Sequence, residues 1–147
     1  MFRAPPKGRA DRYNKIKRTV GEVEVIVRRV EDVKKTKNHV QAKDWSSSRL
    51  LTREDRMGFT ITDSWCEPGM DNTLCYERHL EACYCIDGEG SVEDLSTGVE
   101  YKITAGTIYA LDKYDRHRLK ATTRMRLICV FAPALTGDEI HDEKGSY

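Results

Sequence analysis

A chain of 147 residues, 39% of them apolar, is long enough to bury one core, and no apolar run approaches the roughly 20 residues of a membrane-spanning helix. Its formal charge of +1 argues against bulk nucleic-acid binding. The charge is unevenly placed: residues 1–18 carry seven Lys/Arg and one acid, while the other 129 residues carry 18 basic and 23 acidic side chains.

Residues 1–18, with Pro5-Pro6 and no sustained periodicity, read as a basic flexible extension ahead of one domain spanning 19–147. The extension is Arg-rich and acid-poor like a targeting segment, but it lacks Ser and an amphipathic repeat, and it has no apolar h-region. Alternation in TVGEVEVIVRRV predicts a first strand over residues 19–30. Residues 31–39 are polar and allow one helical turn or a loop, and a polar loop then leads to Trp45. From Arg49 onward the chain reads as short strands near 49–53, 57–66, 72–78, 80–86, 90–95, 98–103, 107–111, 117–122 and 125–133. Gly58, Pro68-Gly69, Gly88, Gly90, Gly98 and Gly106 mark the breaks between them. Val, Ile, Thr, Tyr and Phe fill the strands, so the fold class is all-β, a sandwich or barrel with little helix. Five cysteines, an odd number in strand-like segments, fit a reducing cytoplasm better than a disulfide framework.

The chemistry concentrates between Tyr76 and His117. In the segment 79–86, His79, Glu81, Cys83 and Cys85 share one face of a strand, and Leu80, Ala82, Tyr84 and Ile86 share the other. Asp87 to Gly90 supply a turn. A second strand carries Tyr109 and Leu111 on one face, and a polar turn at 112–116 leads to His117. A carboxylate, a phenol and an imidazole thus recur at strand ends in two successive hairpins, and a small closed barrel brings such ends to one mouth. Taken singly, each has a bland explanation, for a strand-end His is usually a hydrogen-bonded rim residue and a Tyr usually packs. Glu81 differs because its neighbours on that face are cysteines. A buried carboxylate requires compensation, and a metal ion is one form of it. A mixed O/N donor set suits Fe(II), Mn(II) or Zn(II), and three protein ligands leave positions open for a substrate. A sulfur alternative built on Cys83 and Cys85, with Cys75 near, lacks the second close pair of a zinc site.

The segments WSSSRLLTREDRMGF, RHLEACYCIDGEG, AGTIYALDKYDRH and CVFAPALTGDEIHDEKG resemble the ectoine synthases, a family of small cupins, and the likeness runs from about Val25 to Tyr147. The resemblance implies a cupin barrel of the jelly-roll type, a cytoplasmic homodimer and a catalytic iron. It also implies cyclisation of N-γ-acetyl-L-2,4-diaminobutyrate to ectoine with loss of water. The family's metal ligands fall on Glu81, Tyr109 and His117, and its substrate pocket on Trp45, Arg49, Ser64, Tyr76, His79, Leu111, Phe131, Glu139 and His141. Ser64 stands where the family usually has Thr, and Thr73 and Cys75 stand where cupins often have an imidazole pair. His79 then serves as a base, His141 or Glu139 as an acid, Arg49 as the partner of a carboxylate, and the C-terminal segment as a lid. The alternatives are another small metal-dependent cupin, an isomerase or a dioxygenase, or a non-catalytic solute-binding cupin. No nucleic-acid or membrane partner is implied.

Overall fold

Side chains that alternate between a buried and an exposed face dominate the computed structural model, which describes residues 25–139. The described residues form ten strands: β1 (His39–Gln41), β2 (Trp45–Leu51), β3 (Thr60–Cys66), β4 (Asp71–Leu74), β5 (Leu80–Asp87), β6 (Glu89–Asp94), β7 (Val99–Thr104), β8 (Ile108–Leu111), β9 (His117–Ala121) and β10 (Met125–Ala132). All pair antiparallel, in a six-stranded sheet of order β1-β2-β3-β10-β5-β8 and a four-stranded sheet of order β4-β9-β6-β7. Between them lies one core that includes Met70, Leu74, Cys85, Val92, Ile103, Leu119, Met125, Leu127 and Phe131. Two sheets closing on one core is the all-β architecture the strand spacing predicts. No helix among the described residues is long and apolar enough to cross a membrane.

β5 follows the alternation closely. Glu81, Cys83 and Cys85 are buried, whereas Leu80, Tyr84 and Ile86 are exposed. The turn into β6 depends on two glycines. Gly88 has φ +79, and a Cβ there would lie 2.1 Å from the Arg124 carbonyl oxygen; at Gly90 it would lie 2.0 Å from that of Lys120. Only glycine lets β6 approach the backbone of β9 this closely. β9 is thereby held in register with Asp94 opposite His117.

Three expectations are corrected or fall outside. Residues 19–24, and the 1–18 extension, lie outside the described residues, and 25–29 form no strand; a single helical turn, α1 (Val30–Val33), follows. β2 begins at Trp45, not Arg49, because Trp45 to Ser48 pair with β3, and Trp45 to Ser47 border the cavity, despite the poor strand propensity of serine. β1 arises by pairing His39–Gln41 with those same serines.

Beyond β10 the chain stays attached. The Leu135 amide donates to Thr60 Oγ1 (2.8 Å), the Leu135 carbonyl accepts from the Arg53 amide (2.7 Å), and the Leu135 side chain is fully buried. The turn at Arg53–Asp55 is closed by a capping box with Thr52, and Asp55 is gripped by Arg28 at 2.6 and 2.7 Å.

Candidate metal centre and active site

A cavity opens between the sheets, lined by Trp45, Ser47, Thr62, Ser64, Met70, Tyr76, Glu81, Tyr109, Leu127, Cys129 and Phe131 among others. Glu81 enters from the buried face of β5. Tyr109 comes from β8, where it sits opposite Cys83 across the strand pair. His117 opens β9 in the other sheet, with its ring 6.3 Å from that of Tyr109 and 6.2 Å from that of Tyr76. The carboxylate and phenol therefore share the wall of one cavity, and the imidazole, from the other sheet, lines a neighbouring groove that Tyr109 also borders.

Two of these groups are buried without a hydrogen-bond partner among the described residues: Glu81 Oε2 and His117 Nε2. The tautomer of His117 follows from its other nitrogen. Nδ1 is 3.0 Å from the Asp115 carbonyl, which only accepts, so Nδ1 carries the proton and Nε2 presents a lone pair. Burial pushes the His117 pKa down, partly opposed by the Asp115 carbonyl, and keeps the ring neutral. Burial also lifts the Glu81 carboxyl to about 7, with the Cys83 hydrogen bond acting the other way. Tyr109 is held well above the usual phenol range, chiefly by burial and then by Cys83 and Glu81. A buried acid, a half-buried phenol and a buried imidazole lone pair form a donor set that a divalent ion would complete.

The rest of the wall is apolar or hydroxylic. Phe131 packs edge-on against Tyr76 at 5.3 Å, and Trp45 also lines the cavity. A row of hydroxyls runs from Thr62 to Ser64 (3.1 Å) and from Ser64 to Ser47 (2.9 Å). Ser47 and Thr62 were not foreseen, yet period-2 spacing from Trp45 and Ser64 puts each on the inward face. Cys129, opposite Cys83 in the β5–β10 register, was also missed, because strand pairing is invisible in local sequence.

Other expected residues sit farther out. Leu111 lies opposite Glu81 in the β5–β8 register and lines a neighbouring groove with Tyr109 and His117. His79 is half-buried, its Nδ1 2.8 Å from the Pro133 carbonyl and its ring 6.4 Å from Phe131. With Glu139, Arg53, Arg56 and Arg78 it lines an outer groove on the far side of Phe131. Arg49 is buried beside the cavity, not on its wall. Its guanidinium donates to the Gly137 carbonyl at 2.5 Å and to that of Glu139. The Glu139 carboxylate turns back to accept from the amides of Thr136 (2.6 Å) and Gly137 (2.9 Å). His141 lies outside the described residues.

Comparison with known proteins identifies the family and the fold. The family model described as ectoine synthase matches residues 25–147. The chain is 46% identical over 119 residues to the L-ectoine synthase of Halalkalibacterium halodurans, covering 81% of this chain and 92% of the relative. It is 42% identical over 123 residues to that of Oceanobacillus iheyensis, covering 84% and 96%. The crystal structure of ectoine synthase from P. lautus superposes with a TM-score of 0.77 at 45% identity, over 82% of this chain and 87% of that one. An RmlC-like cupin from Shewanella frigidimarina, at 23% identity and a TM-score of 0.54 over 63% of this chain and 79% of that one, shares the fold alone. With the cupin barrel and the matched sequence in agreement, the chain belongs to the ectoine synthase family of enzymes.

Proposed function

We propose that this enzyme converts N-γ-acetyl-L-2,4-diaminobutyrate to ectoine with the aid of an iron(II) ion held by Glu81, Tyr109 and His117. The observation that carries the reading is the pair of buried donor atoms without a partner among the described residues, Glu81 Oε2 and His117 Nε2, with Tyr109 bordering both the cavity of Glu81 and the groove of His117. In the reaction the α-amine nitrogen bonds to the amide carbon, both of its protons leave, and the carbonyl oxygen departs as water. When bound, the ion supplies Lewis-acid stabilisation of the negative charge that develops on the amide. Zn(II) or Mn(II) suits the same donors.

The chain's own residues do the rest. Trp45, Tyr76 and Phe131 wall the cavity with rings, which holds a flexible substrate folded and excludes bulk water from a dehydration. The hydroxyls of Ser47, Thr62 and Ser64 offer hydrogen bonds to the polar end of the substrate. His79 is assigned the proton taken from the amine and His141 the proton returned to the leaving oxygen, whereas the Glu139 carboxylate, held ionised by the amides of Thr136 and Gly137, orders the C-terminal segment. Arg49 contributes by holding the C-terminal segment through its carbonyls, with Leu111 and the β5–β8 pairing setting the position of Glu81. The same reading places the enzyme in the cytoplasm as a homodimer.

The test is turnover of N-γ-acetyl-diaminobutyrate by metal-stripped protein, with Fe(II), Mn(II) and Zn(II) restored separately and ectoine detected by chromatography. Ectoine is expected only after a metal is returned. Full turnover by stripped protein, or none with any metal, would overturn the reading.

A further inference from the structure

We propose that Glu81, Cys83 and Cys129 form a second metal site, selective for thiophilic dications such as Cd(II), that shares Glu81 with the triad and so excludes the hard ion. The cluster is built by register. Cys83 on β5 and Cys129 on β10 are directly opposed across the strand pair, and both side chains point inward. Their sulfurs lie 3.1 Å apart, and Cys83 Sγ lies 3.1 Å from Glu81 Oε1. All three donor atoms lie within 4.8 Å of one another, in residues no more than 7% exposed.

Three features point to a cation and not to packing alone. Glu81 keeps a buried oxygen with no partner among the described residues. Both cysteines are free thiols. Glu81 and Cys129 line the cavity, so an ion has a path to the cluster. Sulfur donors select soft and borderline ions, which separates this set from the oxygen and nitrogen donors of Glu81, Tyr109 and His117. At the zinc–sulfur distance of about 2.3 Å a tetrahedral ion places two sulfurs roughly 3.8 Å apart, so the thiols part by about 0.7 Å for Zn(II) and by more for the larger Cd(II). Two thiol protons leave to solvent on binding. The Tyr109 and His117 side chains are not needed.

The test titrates metal-free protein with Cd(II) under a phosphine reductant, which adds no competing thiol, and follows thiolate-to-cadmium charge-transfer absorbance. One Cd(II) per chain is expected. Cys83→Val, a size-matched strand former, and Cys129→Ser should each weaken binding by about tenfold or more, while His117→Ala and Cys75→Ser leave it unchanged. Absence of the band, its persistence at full strength in Cys83→Val, or its loss in Cys75→Ser would overturn the site. In a second arm, Cd(II) should displace Fe(II) from the wild type but not from Cys83→Val; iron retained beside Cd(II) in the wild type would overturn exclusivity. Wild type that takes up no Fe(II) at all would sink the proposed function alone, since the cadmium arm does not depend on it.

Discussion

At the scale of single residues, the site is a set of groups that the fold leaves electrostatically incomplete. A buried carboxyl near 7 and a neutral imidazole with an open lone pair cost stability unless something compensates them. Removing either should therefore abolish metal binding without unfolding the barrel. For Glu81→Ala and His117→Ala, elemental analysis should find no bound iron and ectoine formation should fall to background. Both variants should keep a cooperative thermal transition. Full iron content or full activity in either would contradict the ligand assignment. Glu81 was readable because alternation with Cys83 and Cys85 predicts its burial. Cys129 was not, because what matters about it is the strand it faces. Arg49 shows the same limit: its residue type announces a carboxylate partner, but the fold places carbonyls from 88 and 90 positions away within its reach.

At the scale of elements, strands from β3 to β10 were legible because branched and aromatic residues alternate between clear breakers. β2 was shortened because Ser46-Ser47-Ser48 has no strand propensity; tertiary pairing with β3 outweighs it. Close backbone approach is likewise legible only as a glycine, and two glycines make opposite predictions. Gly90→Ala drives a Cβ into the Lys120 carbonyl of β9, costing at least the about 1–3 kcal/mol of an overpacked core. It should also weaken metal binding, because β9 carries His117. Gly98→Ala meets nothing within 4 Å and costs only backbone strain at φ +72, about 1 kcal/mol. Thermal melts and iron titrations of the two variants distinguish these cases. The C-terminal hook makes a pH prediction. Although burial works against it, the amides of Thr136 and Gly137 hold the Glu139 carboxyl below its ordinary value of 4.5. A depressed folded pKa gives stability that is present above the unfolded value and lost as pH falls through the folded one. Amide-exchange protection at Thr136 and Gly137 should therefore hold at neutral pH and drop below about pH 4.5, and Glu139→Gln should lack that acid-dependent step.

At the scale of the whole molecule, the two sheets divide the labour: one face of β5 builds the site, and the other is left apolar and outside. Across β10, β5 and β8 the register sets Ile128, Tyr84 and Ile108 in one row, with Tyr84 46% and Ile108 64% exposed. Leu80, Ile86 and Val130 extend the same face at 37–43% exposure. Such a contiguous apolar strip is where the homodimer that the family resemblance implies would have its interface, each copy covering the other by two-fold self-complementarity. A charge at the centre of that strip should separate the copies, since an unpaired buried charge is costly while the same charge in water is not. Tyr84→Arg should thus convert a dimer to a monomer in light scattering, with the melt of the isolated barrel still cooperative. Tyr84→Phe should remain dimeric, because it keeps the ring and loses only a hydroxyl. Light scattering that gives a monomer for the wild type, or a dimer undisturbed by the arginine, would move the interface to another face and leave this strip without its explanation.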